Sequence, residues 1–504
     1  MEEIEIIKTY NTNDAFRVLS ITFGLMILMW YLQYHWRRRH LYKMASMRPG
    51  PLTLPLIGNA LSFVGSSNDM LSKLMEIMNK YQSPVRLWLG NKLLFGVWEA
   101  RDMEIILNSS HALTKEELYK FTECVVGTGL FTAPVPKWKR HRKIIMPTFN
   151  QRTLNEFVGC FSEQSNIFVN QLEKQVGRGF FDIFYLISRC TLDIICETAI
   201  GITVKAQTED SDYAKWINKG MEIICIRMCN ILYRSDYIFN RTSMSKELKD
   251  LNDKVHQFTG GVVKQKREAY QKKMREQRNM SEGYVDEGFS ESITRKSLLQ
   301  LLIELSENGA GFTDDELRNE VDTFMIAGSD TTASTMSFTF IMLAMFPDIQ
   351  QKVYEEVMDV LGPDRIVEHS DLNKFEFLEQ VLKETMRIFP VGPFLVRSIT
   401  KDIQLEKCVL PAGSSVMLGI ISLHRNEEIW PSPLKFDPDR FLPENVAKRH
   451  SYAWLPFSGG PRNCVGLKKY KFSTTYKSIE DIKLKVDIML KPIDGYAIAI
   501  EFRE

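Results

Sequence analysis

A cysteine set in a glycine-rich turn near the end of the sequence constrains this chain more than any other stretch. In Phe457-Ser-Gly-Gly-Pro-Arg-Asn-Cys464-Val-Gly466, three glycines and one proline surround Cys464, and Arg462 stands two residues before it. Glycines permit tight turns and a close approach of backbone to a flat partner, and proline stiffens the path. A sulfur held in such a turn can face a metal while backbone N–H groups point at it. The plainer alternative is a free buried cysteine, a common core residue.

The remaining cysteines argue against a disulfide or zinc framework. The eight lie at 124, 160, 190, 196, 225, 229, 408 and 464, without CxxC pairing, and several fall in apolar helical stretches such as Leu192–Ala199. That usage fits a reducing compartment and mostly inert thiols. A chain of 504 residues with 44% hydrophobic and 25% charged residues is globular, and its length allows one very large domain or several ordinary ones. A formal charge of +1 gives no electrostatic reason for a nucleic-acid partner.

The first residues stand apart. Val18–Tyr34 is nearly uncharged and about long enough to cross a bilayer; Trp30, Tyr31, Tyr34 and Trp36 suit its interface. Arg37, Arg38, Arg39, Lys43 and Arg48 follow, which places the main body on the cytosolic side. No small-residue cleavage site follows, so a retained single-span anchor is expected. Pro49-Gly-Pro-Leu-Thr-Leu-Pro55-Leu-Ile-Gly58 then reads as a stiff connector. The expected division is an anchor over 1–36, a basic patch and proline-rich hinge over 37–59, and one catalytic domain over 60–504.

Within that domain, Pro84–Val97 reads as a hairpin turning at Gly90-Asn91, and helical patterns dominate from about Met103 to Arg387. Lys264–Ser297 is strongly charged and predicts a helix end running into a mobile loop without chemistry. No phosphate loop or dinucleotide fingerprint is present, so electrons for any redox reaction come from another protein.

Thr313-Asp-Asp-Glu316 is a capping box opening a helix that continues to Phe346, before Pro347. Its middle, Ala327-Gly-Ser-Asp330-Thr331-Thr332, is poor helix material, since glycine, aspartate and threonine all weaken a helix interior. The expectation is a widened turn where a hydroxyl and a carboxylate meet a ligand; an ordinary bend is the alternative. Trp138 and Arg142 are four apart on another helix, and by themselves read as a solvated basic face. Glu384 and Arg387 share a face three residues apart, which alone is a minor surface pair.

The cysteine loop closely resembles the haem-binding signature of the cytochrome P-450 family, and the other stretches resemble that family's motifs in the family's order. They are the anchor, the hinge, W-x-x-x-R at Trp138 and Arg142, the acid–threonine helix, Glu-x-x-Arg and the Arg440 meander (Phe436-Asp-Pro-Asp-Arg440-Phe441). The resemblance runs from about Pro49 to Arg503. It implies a mainly α fold with a smaller β region, one large catalytic domain, and haem b held by Cys464 as the iron ligand. Trp138, Arg142, Arg397, Phe457, Arg462 and Gly466 would contact the cofactor, with Arg142, Arg397 and Arg462 on its propionates. Thr331 would hydrogen-bond dioxygen or its water and Asp330 would relay protons, while Thr332 is structural. Glu384, Arg387 and Arg440 would form a structural triad. The implied partners are an NADPH–cytochrome P-450 reductase, with cytochrome b5 as a second donor, a lipophilic substrate and dioxygen, at the endoplasmic reticulum membrane. Substrate contacts would come from Val125–Pro136, Ala327, Val391–Val396 and Ile493–Tyr496. A basic surface of Lys137, Lys139, Arg140, Lys143, Lys468 and Lys469 would dock the reductase.

Glu320-Val-Asp-Thr-Phe-Met-Ile-Ala-Gly-Ser-Asp-Thr-Thr is similar to the family-4 branch, with one departure. Many members of that branch carry at the position of Ala327 a glutamate that can esterify the haem. Ala327 has no carboxylate, so haem is expected to be non-covalent apart from the Cys464 thiolate–iron bond, and strict terminal-carbon hydroxylation loses its basis.

A second departure follows the cysteine loop. The family continues into a buried helix, but Gly466-Leu-Lys-Lys-Tyr-Lys-Phe-Ser-Thr-Thr-Tyr-Lys-Ser478 has no extended apolar stripe. Phe472–Tyr476 reads as strand or loop, Ile482–Leu490 alternates as a strand, and Pro492-Ile-Asp-Gly495 turns into Tyr496–Phe502: the family's last strands arrive early. A deletion between about Lys468 and Tyr470 is inferred. Its alternative outcome is an impaired or inactive anchored isoform that sequesters reductase. Reductase-free isomerisation or dehydration is a further alternative, opposed by the Asp330–Thr331 pair.

Overall fold

The computed structural model describes residues 12–54, 57–63, 67–149, 151–209, 212–230, 232–281, 296–363, 365–464, 473–474, 484–487 and 489–500. The inferred deletion, Gly466, Lys468 and Lys469 lie outside the described residues, as does 282–295 of the expected loop.

Helix α1 (Thr12–Arg37) contains a segment, Phe16–Arg37, of mean hydropathy 1.4 that is long and apolar enough to cross a membrane; its apolar stretch is exposed, and its end touches the next helix through His35 stacked on Tyr42. Within the expected patch and hinge, Arg39–Ser46 forms a short helix, α2, before the connector begins at Pro49. Arg38 fastens this region to the globular part: its guanidinium lies 5.0 Å from the Tyr34 ring, 5.9 Å from Tyr42 and 5.6 Å from Trp88.

The hairpin forms as expected, with β1 (Val85–Leu89) antiparallel to β2 (Lys92–Val97) and Leu89 opposite Lys92. Then come α3 (Ala100–Asn108) and α4 (Val135–Ile145). A short strand β3 (Phe181–Asp182) precedes α5 (Phe184–Ile195), α6 (Asp212–Cys229) and α7 (Ser243–Ser281). The long helix α8 (Asp314–Met345) is followed by α9 (Glu376–Ile388), β4 (Phe394–Ser398) and β5 (Ser415–Gly419). The main sheet has the order β1-β2-β5-β4, with β2 and β5 parallel. Near the end, β6 (Ser473–Thr474), β7 (Leu484–Asp487), β8 (Met489–Pro492) and β9 (Ala497–Ala499) form two small sheets, β9 also pairing with β3. The alternating segment 482–490 is therefore not one strand: Met489 pairs with Asp487 and Leu490 with Val486. Both arms of a hairpin keep period-two alternation, so the pattern does not reveal the fold-back.

Helix α8 organises the helical part. Its capping box is in place: the Glu316 N–H donates to Thr313 Oγ1 at 3.1 Å, and the Thr313 N–H to Glu316 Oε2 at 3.3 Å. The widened turn expected at Ala327–Thr332 is absent, and the helix runs unbroken through it. The hydroxyls that weaken a helix instead satisfy its own carbonyls, Ser329 Oγ donating to Met325 O at 2.6 Å and Thr331 Oγ1 to Ala327 O at 2.5 Å. Gly328 serves a crossing, because a Cβ there would lie 2.7 Å from Ile195 Cδ1 on α5. Farther along, Phe338 stacks on Phe389 with centroids 4.4 Å apart, joining α8 to the end of α9.

One buried acid on α8 is poorly served. Asp322 is fully buried; the Thr259 hydroxyl and Arg318 partly offset that burial, but Arg318 Nε is 4.0 Å away and His256 Nε2 3.8 Å. Burial pushes its carboxyl up to about 7. Between its unfolded value and about 7 the folded chain holds a proton that the unfolded chain has released, so stability falls as pH rises, by at most about 1.4 kcal/mol per unit. Asp322→Asn carries no such penalty. Its unfolding midpoint is expected to gain on wild type progressively from pH 4 to 7 and to level off above. A pH-independent difference in thermal melts contradicts this.

Candidate functional site

The cysteine loop is held by a glycine that tolerates no substitution. Gly460 has φ +64°, and a Cβ there would lie 2.2 Å from the carbonyl oxygen of Leu107 on α3. Both the left-handed backbone and the close approach require glycine. The Cys464 N–H donates to Phe457 O at 3.1 Å, closing the loop and leaving Cys464 exposed at its end. Phe457 packs edge-on against Trp454.

Three cations converge beside this loop. Arg462 donates to Ala133 O at 2.8 Å and lies 4.5 Å from the Trp138 ring, while its Nε and Nη1 are buried without a partner. Arg397 is buried on β4. Lys115 is brought to it by backbone pairing of Lys115 with Arg397, supported by the Ser398 N–H donating to Thr114 O at 2.9 Å. The Lys115 ammonium lies 3.6 Å from the Phe131 ring centroid, and burial with Arg397 and Arg462 nearby holds its pKa well below the usual lysine value. Burial, then Arg397, lowers Arg462 to about 10, and burial lowers Arg397 too. Among the described residues no ion pair joins Lys115, Arg397 or Arg462 to a carboxylate. Three crowded cations, two buried orphan nitrogens and an aromatic wall fit a flat group bearing two carboxylates, as haem does. Lys115 belongs to no motif; only the strand pairing near β4 puts it there.

Trp138 and Arg142 both stand on α4, beside the loop. Arg142 donates from Nη1 to Asn463 O at 3.0 Å and from Nη2 to Asn463 Oδ1 at 2.8 Å, so it grips the residue before the cysteine. His141, between them, is fully buried and bridges α4 to α8, with Nδ1 2.6 Å from Glu320 Oε1 and Nε2 3.3 Å from Glu316 Oε1. Glu320 Oε2 also accepts from the Leu130 N–H at 3.1 Å, and Thr323 Oγ1 donates to Val126 O at 2.9 Å. The 125–136 loop is thereby pinned to α8. The sequence reading missed His141 and Glu320 because neither stands out without its partner.

On α8, Ala327 is exposed although Met325 and Ile326 before it are buried. Thr331 lies one turn farther on, and Asp330 beside it meets Lys491 Nζ at 3.7 Å. Burial raises the Asp330 carboxyl above its usual value, and Lys491 opposes that. Of the expected substrate contacts, Phe394, Leu395 and Val396 are half-buried, whereas Val125 and Tyr496 are packed in the core.

Glu384, Arg387 and Arg440 are brought together away from these groups. Arg387 donates to Glu384 from Nε at 2.6 Å and Nη2 at 2.8 Å, and Arg440 Nε lies 3.4 Å from Glu384 Oε1. The Asp437 N–H donates to the same oxygen at 3.0 Å. Arg387 also donates to His424 O at 2.8 Å and Pro433 O at 2.7 Å, tying α9 to the meander. His424, unremarked in the sequence, is buried; burial first, and Arg387 second, lower it to about 3, so its neutral Nε2 accepts from the Leu455 N–H at 2.8 Å.

A family profile described as "Cytochrome P450" matches residues 48–468. The chain is 35% identical over 511 residues to "Cytochrome P450 4c21" of Blattella germanica, covering 97% of this chain and 99% of the relative. It is 32% identical over 486 residues to "Cytochrome P450 4V2" of Homo sapiens, covering 92% of this chain and 91% of the relative. Among solved structures, the heme domain of cytochrome P450DA superposes with a TM-score of 0.74 over 91% of this chain and 98% of that one, at 20% identity, a likeness of fold.

Proposed function

The chain belongs to the cytochrome P450 family of haem-thiolate monooxygenases, and from that premise we propose that it oxygenates a lipophilic substrate with electrons from an NADPH-dependent flavoprotein reductase. The observation that carries the reading is the convergence of Lys115, Arg397 and Arg462 beside the loop that ends in the exposed Cys464. Haem b, bound through the cysteine thiolate, supplies the dioxygen chemistry. Cys464 is its proposed ligand. Arg397 and Arg462 would hold the two propionates by charge-assisted bonds, joined by Arg142 if it released Asn463, and Trp138 and Phe457 would contact the group.

One oxygen atom enters a substrate C–H bond; the other leaves as water, which takes up two electrons and two protons. Asp330 passes those protons inward, and the Thr331 hydroxyl, once turned away from Ala327 O, donates the next hydrogen bond, while the rest of α8 keeps bulk water out. Thr332, like the Glu384–Arg387–Arg440 triad, is structural. The exposed face at Ala327 and the half-buried 394–396 strand leave apolar surface for the substrate. Helix α1 anchors the chain in the endoplasmic reticulum membrane with the catalytic domain cytosolic. Of the basic surface, Lys139 and Lys143 stay exposed for reductase docking, with cytochrome b5 as a second donor, whereas Arg140 pairs with Glu316 and Lys137 donates to Thr128 at 2.9 Å.

The test is reconstitution of the full chain with haem, reductase and phospholipid, followed by a panel of lipophilic substrates under labelled dioxygen. NADPH-dependent product carrying one labelled atom is expected; label arriving from water, or product formed without NADPH, sinks the reading. A second reading, a chain that holds haem poorly, is favoured by the family match ending at 468, where the apolar stripe of the next helix is missing. Failure to take up haem in the same reconstitution selects it.

A further inference from the structure

Asp330 and Thr331 are neighbours on α8, yet the structure gives them different partners. Thr331 bonds back to its own helix. Asp330, only 12% exposed, faces the C-terminal hairpin, where Lys491 of β8 brings its ammonium to 3.7 Å. That ammonium is itself held 4.8 Å from the ring of Phe184, at the start of α5. The strand carrying it is fixed by the Leu490 N–H donating to Val391 O at 3.0 Å, at the edge of the proposed substrate strand. Two other titratable groups face this corner: Tyr496, its ring against Phe184 and Phe338, and Asp182, which accepts from the Tyr496 N–H at 3.2 Å; Arg189 on α5 lies instead over the Tyr185 ring. Neither Tyr496 nor Asp182 supplies a cation, so Lys491 is the positive charge facing Asp330 among the described residues.

We propose that Lys491 is the positioning residue for Asp330: its ammonium, braced on Phe184, keeps the buried carboxylate ionised and fixed beside the open face at Ala327. The C-terminal hairpin thereby sets the charge of the proton relay and links it to the strand at Val391. The catalytic half of this proposal rests on the reading of Asp330 as a proton relay; the pairing itself does not. Without Lys491, burial acts on Asp330 unopposed, so the carboxylate ionises only at higher pH.

Two measurements separate these halves. The first needs no turnover: urea unfolding of the full chain as wild type, Lys491→Met, Asp330→Asn and the double variant. Non-additive midpoints are expected, the second substitution adding little once the first is made. Additive midpoints overturn the pairing. The second is the fraction of consumed NADPH recovered as oxygenated product, followed against pH. Lys491→Met is expected to lower that fraction about tenfold and to move its acid limb to higher pH, Lys491→Arg to restore both, and Lys491→Met to have no further effect in the Asp330→Asn background. An unmoved limb, or no rescue by arginine, overturns the positioning role. If Asp330→Asn itself leaves the fraction unchanged, the relay reading fails, and the unfolding cycle still decides whether the pair exists.

Discussion

Cys464→Ala is expected to abolish the red-shifted Soret band of the reduced, carbon-monoxide-bound protein and to reduce NADPH-dependent product formation to background. Among the other described cysteines none offers a ready substitute, and half-buried Cys124 has its thiol raised by burial. Cys160, Cys190, Cys196, Cys225 and Cys408 are buried, and burial pushes the Cys190 thiol up to about 12 and raises that of Cys196. A thiol held neutral in an apolar core is neither a nucleophile nor a metal ligand. Cys464 is the exposed one among the described cysteines, at the end of a loop pinned at Gly460 and gripped by Arg142. The control variants Cys190→Ala and Cys196→Ala should keep the band. Retention of a full band by Cys464→Ala removes Cys464 from the iron. Absence of the band in the wild-type chain as well points to the impaired reading and to the segment after Gly466.

The largest expected effect on stability comes from Glu384→Ala. Glu384 and Arg387 are fully buried, and one carboxylate serves both Arg387 and Arg440 besides the Asp437 N–H. Removing an acid from a buried pair costs about 3–5 kcal/mol, because the guanidinium left behind has no counter-charge. Folded domains are stable by only about 5–15 kcal/mol, so much of the margin is lost. Urea unfolding of the full chain should show a sharply lowered midpoint, or a collapse of soluble yield. Lys383→Ala on the same helix removes a 2.8 Å pair to the exposed Glu379 and should change little. Equal effects of the two substitutions contradict a structural triad.

The two cases show how far the sequence reaches. The cysteine loop is legible because its chemistry is local: glycines, proline, arginine and thiol stand within ten residues. The capping box of α8 and the hairpin turning at Gly90-Asn91 are local in the same way, and both are present. The stretch 327–332 misled for an instructive reason. Its residues are poor helix formers in isolation, but back-bonded hydroxyls and the fit of Gly328 against Ile195 make the helix the better state there. Intrinsic propensity is worth tenths of a kcal/mol per residue, and tertiary packing overrides it.

What remained hidden was pairing across distance. Nothing in the sequence around Lys115, His141, His424 or Lys491 marks these residues, because a lone lysine or histidine has no chemistry until a partner is brought to it. Lys115 meets Arg397 through strand pairing across almost three hundred residues, and Lys491 meets Asp330 through a hairpin that the alternation of 482–490 conceals. The sequence by itself determined the family, the glycine-rich cysteine loop, the apolar N-terminal helix and the order of the motifs, all carried by residues close together in the chain. Only the tertiary structure decided which charges face one another. That selection depends on burial and on distances of a few ångströms, where desolvation makes an unpaired charge costly and a paired one useful.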